Sequence, residues 1–143
     1  MNLILLGPPG AGKGTQAKFI AKKFNLYQLS TGDLLREEIK NKTEIGKKID
    51  HIISHGDFVV DEIINQLLKT VIKNSSNRNN IIFDGYPRNI SQAQNLEIIL
   101  NGDNQSINFI LLLKVNREII EKRILGRIIC EKCNKTMNEY FNK

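Results

Sequence analysis

Near the start of the chain, Gly7-Pro8-Pro9-Gly10-Ala11-Gly12-Lys13-Gly14-Thr15 have the types and spacing to hold a phosphate group. Glycines let a loop bend round an anion so that backbone N–H groups point inward, backed by the positive end of a following helix dipole. Lys13 adds a mobile cation for the outer phosphates of a nucleotide. In the commonest form of such a loop Ser or Thr directly follows the lysine and binds Mg²⁺; here Gly14 takes that place and the hydroxyl comes one residue later, at Thr15. Further on, Asp84 ends the wholly apolar run Ile81-Ile82-Phe83, where a strand would deliver its carboxylate beside the glycine loop. Arg123 and Arg127 are four apart, so a helix would put both on one face as a cationic edge. Cys130 and Cys133 have the spacing of half a zinc site. Structural zinc takes four ligands, and the residues after Cys133 include no His, Cys or Asp, so an incomplete zinc site and a simple pair of thiols both remain open.

The elements that must position these groups alternate. Leu3 to Leu6 reads as a strand, and the glycine loop opens into a helix with Ala17, Phe19, Ile20 and Phe24 as its apolar positions. Leu26 to Leu29 reads as a short strand running into Ser30-Thr31-Gly32-Asp33, a helix-start signal. A helix from Thr43 is expected to bury Ile45, Ile49, Ile52 and Ile53 and to stop at Gly56. Val60 to Ile72 repeats its apolar residues at helical spacing. After the strand that ends at Asp84, the pattern predicts a helix over Asn89 to Leu100, a buried strand over Ile107 to Val115, and a helix capped by Asn116 that stops at Gly126. Strand and helix in alternation argue a doubly wound α/β fold with a parallel sheet and helices on both faces, in which ligands collect at the carboxyl ends of the strands.

Composition narrows the partners. A chain of 143 residues with 41% apolar content supports one core, and 21 Lys and Arg against 15 Asp and Glu give a net charge of +6 that favours polyanionic ligands. Nucleic acid is disfavoured, because the lysines are scattered and the six Phe and three Tyr do not interleave with arginines. No apolar run suits a signal peptide or a membrane span, so a cytoplasmic protein is expected, with no membrane partner.

Five blocks together resemble adenylate kinase: Gly7 to Thr15, Leu29 to Arg36, Gly56 to Asp61, Asp84 to Arg88, and Arg123 to Arg127. The resemblance runs through the whole chain, in the family's order and spacing, and points to the long-lid bacterial type. It implies a P-loop NTPase-like fold and reversible transfer of a phosphoryl group from MgATP to AMP, giving two ADP, in a monomer. By similarity, Gly10, Ala11, Gly12, Lys13, Gly14 and Thr15 would wrap the ATP phosphates, with Arg123 and Arg127 on the donor side. Lys13, Asp84, Arg88 and Arg123 would be the catalytic set, Asp84 holding Mg²⁺ through its waters. Thr31, Arg36, Asp57, Phe58, Val59, Gly85, Tyr86, Pro87, Arg88 and Gln92 would form the AMP site, with Arg36 and Arg88 on the phosphate and Gln92 on the adenine edge. Thr31 and Gln92 favour AMP over the acceptors of the pyrimidine monophosphate kinases that share the fold.

The family pattern assigns residues 1–29 and 60–125 to a nucleotide-binding core, 30–59 to an AMP-binding domain and 126–143 to the start of a lid. In that pattern the lid's second cysteine pair, a segment rich in aspartate and arginine, a last core strand and a closing helix lie beyond Lys143. A chain ending there is expected to leave a sheet edge uncovered and to have very low activity. That expectation keeps a second reading open, a nucleotide-binding fragment without catalysis.

Overall fold

The computed structural model describes all residues except 56, 58, 131–135, 142 and 143. Four short strands, β1 (Leu3–Leu6), β2 (Tyr27–Ser30), β3 (Ile81–Asp84) and β4 (Phe109–Leu112), form one parallel sheet in the order β2-β3-β1-β4. Helices α1 (Lys13–Phe24), α2 (Thr31–Lys40), α3 (Glu44–Ser54), α4 (Asp61–Lys73), α5 (Ile90–Asn101) and α6 (Arg117–Leu125) connect or follow these strands, with α2, α3 and α4 in succession between β2 and β3, and β5 (Arg127–Ile129) pairs antiparallel with β6 (Thr136–Asn138). This is the doubly wound α/β architecture expected from the sequence.

Successive strand residues point to opposite faces, and the core divides accordingly. Leu3, Leu5 and Ile82 pack on one face with Ala17 of α1 and Leu26. Ile4, Leu29, Ile81 and Phe83 pack on the other with Leu68 and Ile72 of α4 and Leu96, Ile99 and Leu100 of α5. The alternation decides where Asp84 goes: two residues beyond Ile82, it points to the α1 face, toward the glycine loop.

Several expected core positions are exposed. Phe19 and Phe24 lie outside, because α1 meets the sheet through the narrow stripe of Ala17, Ile20 and Ala21, and Phe19 is about 200° round the helix from Ala17. Ile53 is exposed too, since α3 buries only the stripe through Gly46 and Ile49. The strand expected over Ile107 to Val115 covers only Phe109–Leu112, and it is not buried: its side chains are 40–62% exposed. It is an outer strand with β1 as its neighbour, and α6, which has no buried residue, leaves its apolar side chains uncovered. Asn116 stands at the N-cap of α6 without a side-chain capping bond.

At the amino ends of the strands, fully buried Asn2 donates from Nδ2 to Gln105 Oε1 (3.2 Å) and Ser106 O (3.2 Å), and its Oδ1 accepts from Ile81 N–H (3.1 Å). A polar residue next to the initiator position gave no sign of this in the sequence. The network ties β1, β3 and the approach to β4 at the end opposite the glycine loop.

Candidate functional site

The carboxyl ends of β1, β2 and β3 bring the site together. Beyond β1, Gly10 and Gly12 both have left-handed backbones, with φ of 78° and 92°. Gly10 is also closely packed, since a Cβ there would meet Ile124 Cγ1 at 3.0 Å and Ile120 O at 3.2 Å. Gly12 is the N-cap of α1 and supplies no side-chain cap, so the first-turn N–H groups of that helix keep their capacity for an anion. Lys13 opens α1 and donates from Nζ to Gly7 O (2.8 Å) and Pro8 O (3.1 Å), folding its cation back over the loop.

Asp84 lies against the same loop. A Cβ on Gly14 would stand 3.4 Å from Asp84 Oδ2, an ordinary van der Waals contact, which places the carboxylate against the first turn of α1. Gln28, on the same face of neighbouring β2, donates from Nε2 to Asp84 Oδ2 at 3.0 Å. Burial pushes the Asp84 carboxyl up from its ordinary value, against the pull of Gln28 and of the positive charges on Lys13 and Arg88. Burial also lowers Lys13, with Asp84 opposing that shift and Arg88 adding to it. Lys13 and Asp84 are thus partly desolvated neighbours, and Arg88 adds positive charge beside both. A hard, half-buried carboxylate beside a phosphate-type loop fits a hydrated divalent cation.

Gly85 links this centre to β2. Its carbonyl accepts from Arg88 Nε (2.8 Å) and from the hydroxyl of buried Thr31 (3.4 Å). Thr31 is delivered by the start of α2, where Ser30 Oγ accepts from Asp33 N–H at 3.3 Å. Gln92 is buried in the first turn of α5, which is capped by Asn89 Oδ1 accepting from Gln92 N–H at 2.7 Å. Its side-chain amide is held at both ends: Oε1 accepts from Arg88 N–H (2.7 Å), and Nε2 donates to Asp61 Oδ1 (2.7 Å). On the other side of the loop, Arg123 Nη1 donates to Ala11 O at 3.1 Å and Gly10 O at 3.5 Å.

Not every expected residue joins this group. Arg127 does not share a helix face with Arg123, because α6 ends at Leu125, Gly126 caps it, and Arg127 begins β5. Arg36 is exposed and paired with Asp33, one turn earlier on α2. Burial raises the Asp33 carboxyl, but the bonds from Arg36 and Ser30 outweigh it and the group is lowered overall. Tyr86 is a core residue whose hydroxyl lies 3.0 Å from Asn65 Oδ1 and 3.1 Å from the main-chain carbonyl of Gln92, so its one proton serves one of these acceptors at a time and it braces the backbone at the start of α5. Asp57 is exposed and Val59 half-buried, while Phe58 lies outside the described residues. Cys133 also lies outside them, and among the described residues no group of three His, Cys, Asp or Glu forms a metal site, so zinc finds no support. His51 and His55 stack on each other at the surface, far in sequence from the cysteines. Sequence reasoning missed Gln28 and Asp61, polar residues in no recognised block or at its margin, whose partners are 56 and 31 residues away.

Among the described residues no helix is long and apolar enough to cross a membrane. A family model described as adenylate kinase matches residues 5–143. The chain is 62% identical to an adenylate kinase of Pelagibacter ubique over 143 residues, covering all of this chain and 67% of the relative. It is 41% identical to one of Listeria monocytogenes over 142 residues (99% and 66% covered) and 43% identical to one of Mycoplasma mycoides over 138 residues (96% and 64% covered). The chain thus spans about two thirds of the length of the curated relatives it matches.

Proposed function

Because the chain belongs to the adenylate kinase family, we propose that it serves reversible phosphoryl transfer from ATP to AMP, giving two ADP, as a cytoplasmic enzyme of nucleotide balance. The single observation that carries this reading is the convergence at the carboxyl ends of β1 and β3, where Asp84 Oδ2 lies against Gly14, Lys13 folds back over the same loop, and Arg88 is tied through Nε to the carbonyl of Gly85 next to Asp84.

Phosphoryl transfer needs alignment of donor and acceptor oxygens and cations on the spreading charge, and no side-chain nucleophile. On this reading Gly10 to Thr15 wrap the phosphates of ATP, and Lys13 exchanges the carbonyls of Gly7 and Pro8 for phosphate oxygens. Arg123 braces the loop from the donor side and turns toward the transferring phosphate, with Arg127 covering the nucleotide from the adjoining strand. Asp84 would hold Mg²⁺ through water, and the ion would supply charge neutralisation on the phosphates when bound. Arg36 and Arg88 clamp the AMP phosphate once Arg36 leaves Asp33. Thr31, Gly85, Pro87 and the segment Asp57-Phe58-Val59 line the nucleoside, and Gln92 meets the adenine edge. Residues 1–29 and 60–125 act as the core, 30–59 as the AMP-binding domain and 126–143 as part of the lid.

Titration of the purified chain with AMP, UMP and CMP, and separately with ATP, tests the reading; ADP formation is followed in parallel. AMP is expected to bind with a clear preference over both pyrimidine nucleotides. Preference for UMP or CMP would shift the assignment to a pyrimidine monophosphate kinase, and failure to bind either AMP or ATP would refute it.

A further inference from the structure

The Gln92 amide meets one partner that can only donate and another whose carboxylate can only accept. Arg88 N–H faces its oxygen at 2.7 Å, and the Asp61 carboxylate faces its nitrogen at 2.7 Å. Rotating the amide by 180° would set oxygen against carboxylate and N–H against N–H, so both contacts would turn repulsive together. The orientation is therefore fixed by the partners. Asp61 is itself placed by the first turn of α4, where a negative charge suits the helix dipole, while Gln92 sits in the first turn of α5 behind the Asn89 cap. Two helix starts thus converge on one side-chain amide, while the Tyr86 hydroxyl, 3.1 Å from the main-chain carbonyl of Gln92, braces the backbone behind it.

We propose that Asp61 is a positioning residue that locks the Gln92 amide in one orientation and so makes the acceptor site select a 6-aminopurine monophosphate over a 6-oxopurine one. After the two internal bonds, the amide retains one N–H and one oxygen lone pair. The edge of adenine offers an amino donor and a ring-nitrogen acceptor, which a locked oxygen and a locked N–H can meet. A 6-oxopurine offers the reverse, a carbonyl acceptor and a ring N–H donor, and could be met only by the flipped amide. Asp61 then imposes discrimination without touching the nucleotide. The inference rests on the reading of Gln92 as the adenine-facing residue.

The test compares AMP and inosine monophosphate as ligands of the full chain by titration calorimetry, for the unaltered protein, Asp61→Asn, Asp61→Glu and Gln92→Ala, with thermal melting as the check on folding. Asp61→Asn keeps the shape but can donate as well as accept, so the flipped amide loses one of its two penalties. The ratio of AMP to inosine monophosphate affinity should fall on the order of tenfold in Asp61→Asn and recover in Asp61→Glu, whose carboxylate restores the acceptor. A purely structural role would lower the melting temperature and weaken both ligands together, leaving the ratio unchanged, and that outcome overturns the proposal. Gln92→Ala separates the two levels. If it abolishes the preference while Asp61→Asn does not, the adenine reading stands and the Asp61 lock is refuted. If Gln92→Ala leaves the preference intact, or if the unaltered chain binds no AMP, the underlying reading is refuted and the lock with it.

Discussion

Gly46 is the position where a single methyl group should do most damage to the acceptor side of the site. It lies in the first turn of α3, fully covered by α2, and a Cβ built on it would stand 2.0 Å from Glu38 O, 2.4 Å from Glu38 C and 3.0 Å from Ile39 N. All three are backbone atoms of α2, so no rotamer change can relieve the contact; the two helices must move apart. Two effects of Gly46→Ala oppose each other. Alanine is the better helix former by at most about 1 kcal/mol, and less in a first turn. Overpacking a tight core costs about 1–3 kcal/mol, and a clash with backbone belongs at the upper end. Separation also strains the Thr43 cap, whose Oγ1 accepts from Gly46 N–H at 2.9 Å. The net expectation is about 2 kcal/mol of destabilisation, or a melting temperature lower by about 4–8 °C for a chain of this size. Circular dichroism at 222 nm during heating measures it, with the exposed neighbour Lys48→Ala as a control that should stay within about 0.5 kcal/mol. Because α2 carries Thr31 and Arg36, AMP affinity should fall as well. A melting temperature equal to or above that of the unaltered protein would refute the packing argument.

Further outcomes follow from the same geometry. Asp84→Asn should raise the melting temperature at neutral pH while impairing Mg-dependent nucleotide binding. Burial raises the Asp84 carboxyl, so the folded state favours its neutral form; that contribution to stability is present below the ordinary carboxylate value and lost as pH rises through the raised one, and the variant's advantage should vanish on acidification. Ser30→Ala removes the α2 cap and should cost about 1 kcal/mol, seen as a lower urea midpoint with an unchanged slope.

Much of the fold was legible because local signals agreed with tertiary packing. The run Ile81-Ile82-Phe83 is apolar at every position because both sheet faces are covered there, and Ser30 and Asn89 mark helix starts where their side chains do cap. The same logic failed at the periphery. Phe109 to Leu112 has the composition of a central strand, but composition cannot tell a covered strand from an outer one. Arg127 follows Arg123 at helical spacing, yet Gly126 ends the helix between them, so the spacing counted residues that were not all helical. Gln28 and Asp61 escaped because their roles arise from strand register and from two converging helix starts, which no local window contains.

The two ends of the sheet differ in how fully their polar groups are satisfied, and that difference separates structure from function. At the amino ends, the Asn2 side chain is buried and bonded through both its amide nitrogen and its oxygen, an arrangement that secures strand order and leaves nothing for a ligand. At the carboxyl ends, burial disfavours charge on both Lys13 and Asp84, and Lys13 rests on two neutral carbonyls of its own loop. Neutral carbonyls are weaker partners for an ammonium group than anionic oxygens. A polyphosphate with a divalent cation would add countercharge to both groups at once, beyond what Lys13 and Asp84 offer each other. On the proposed function, the desolvation of these two groups is a cost to folding that a bound polyphosphate and its cation would offset, so the same carboxylate should be a liability for stability and a requirement for binding.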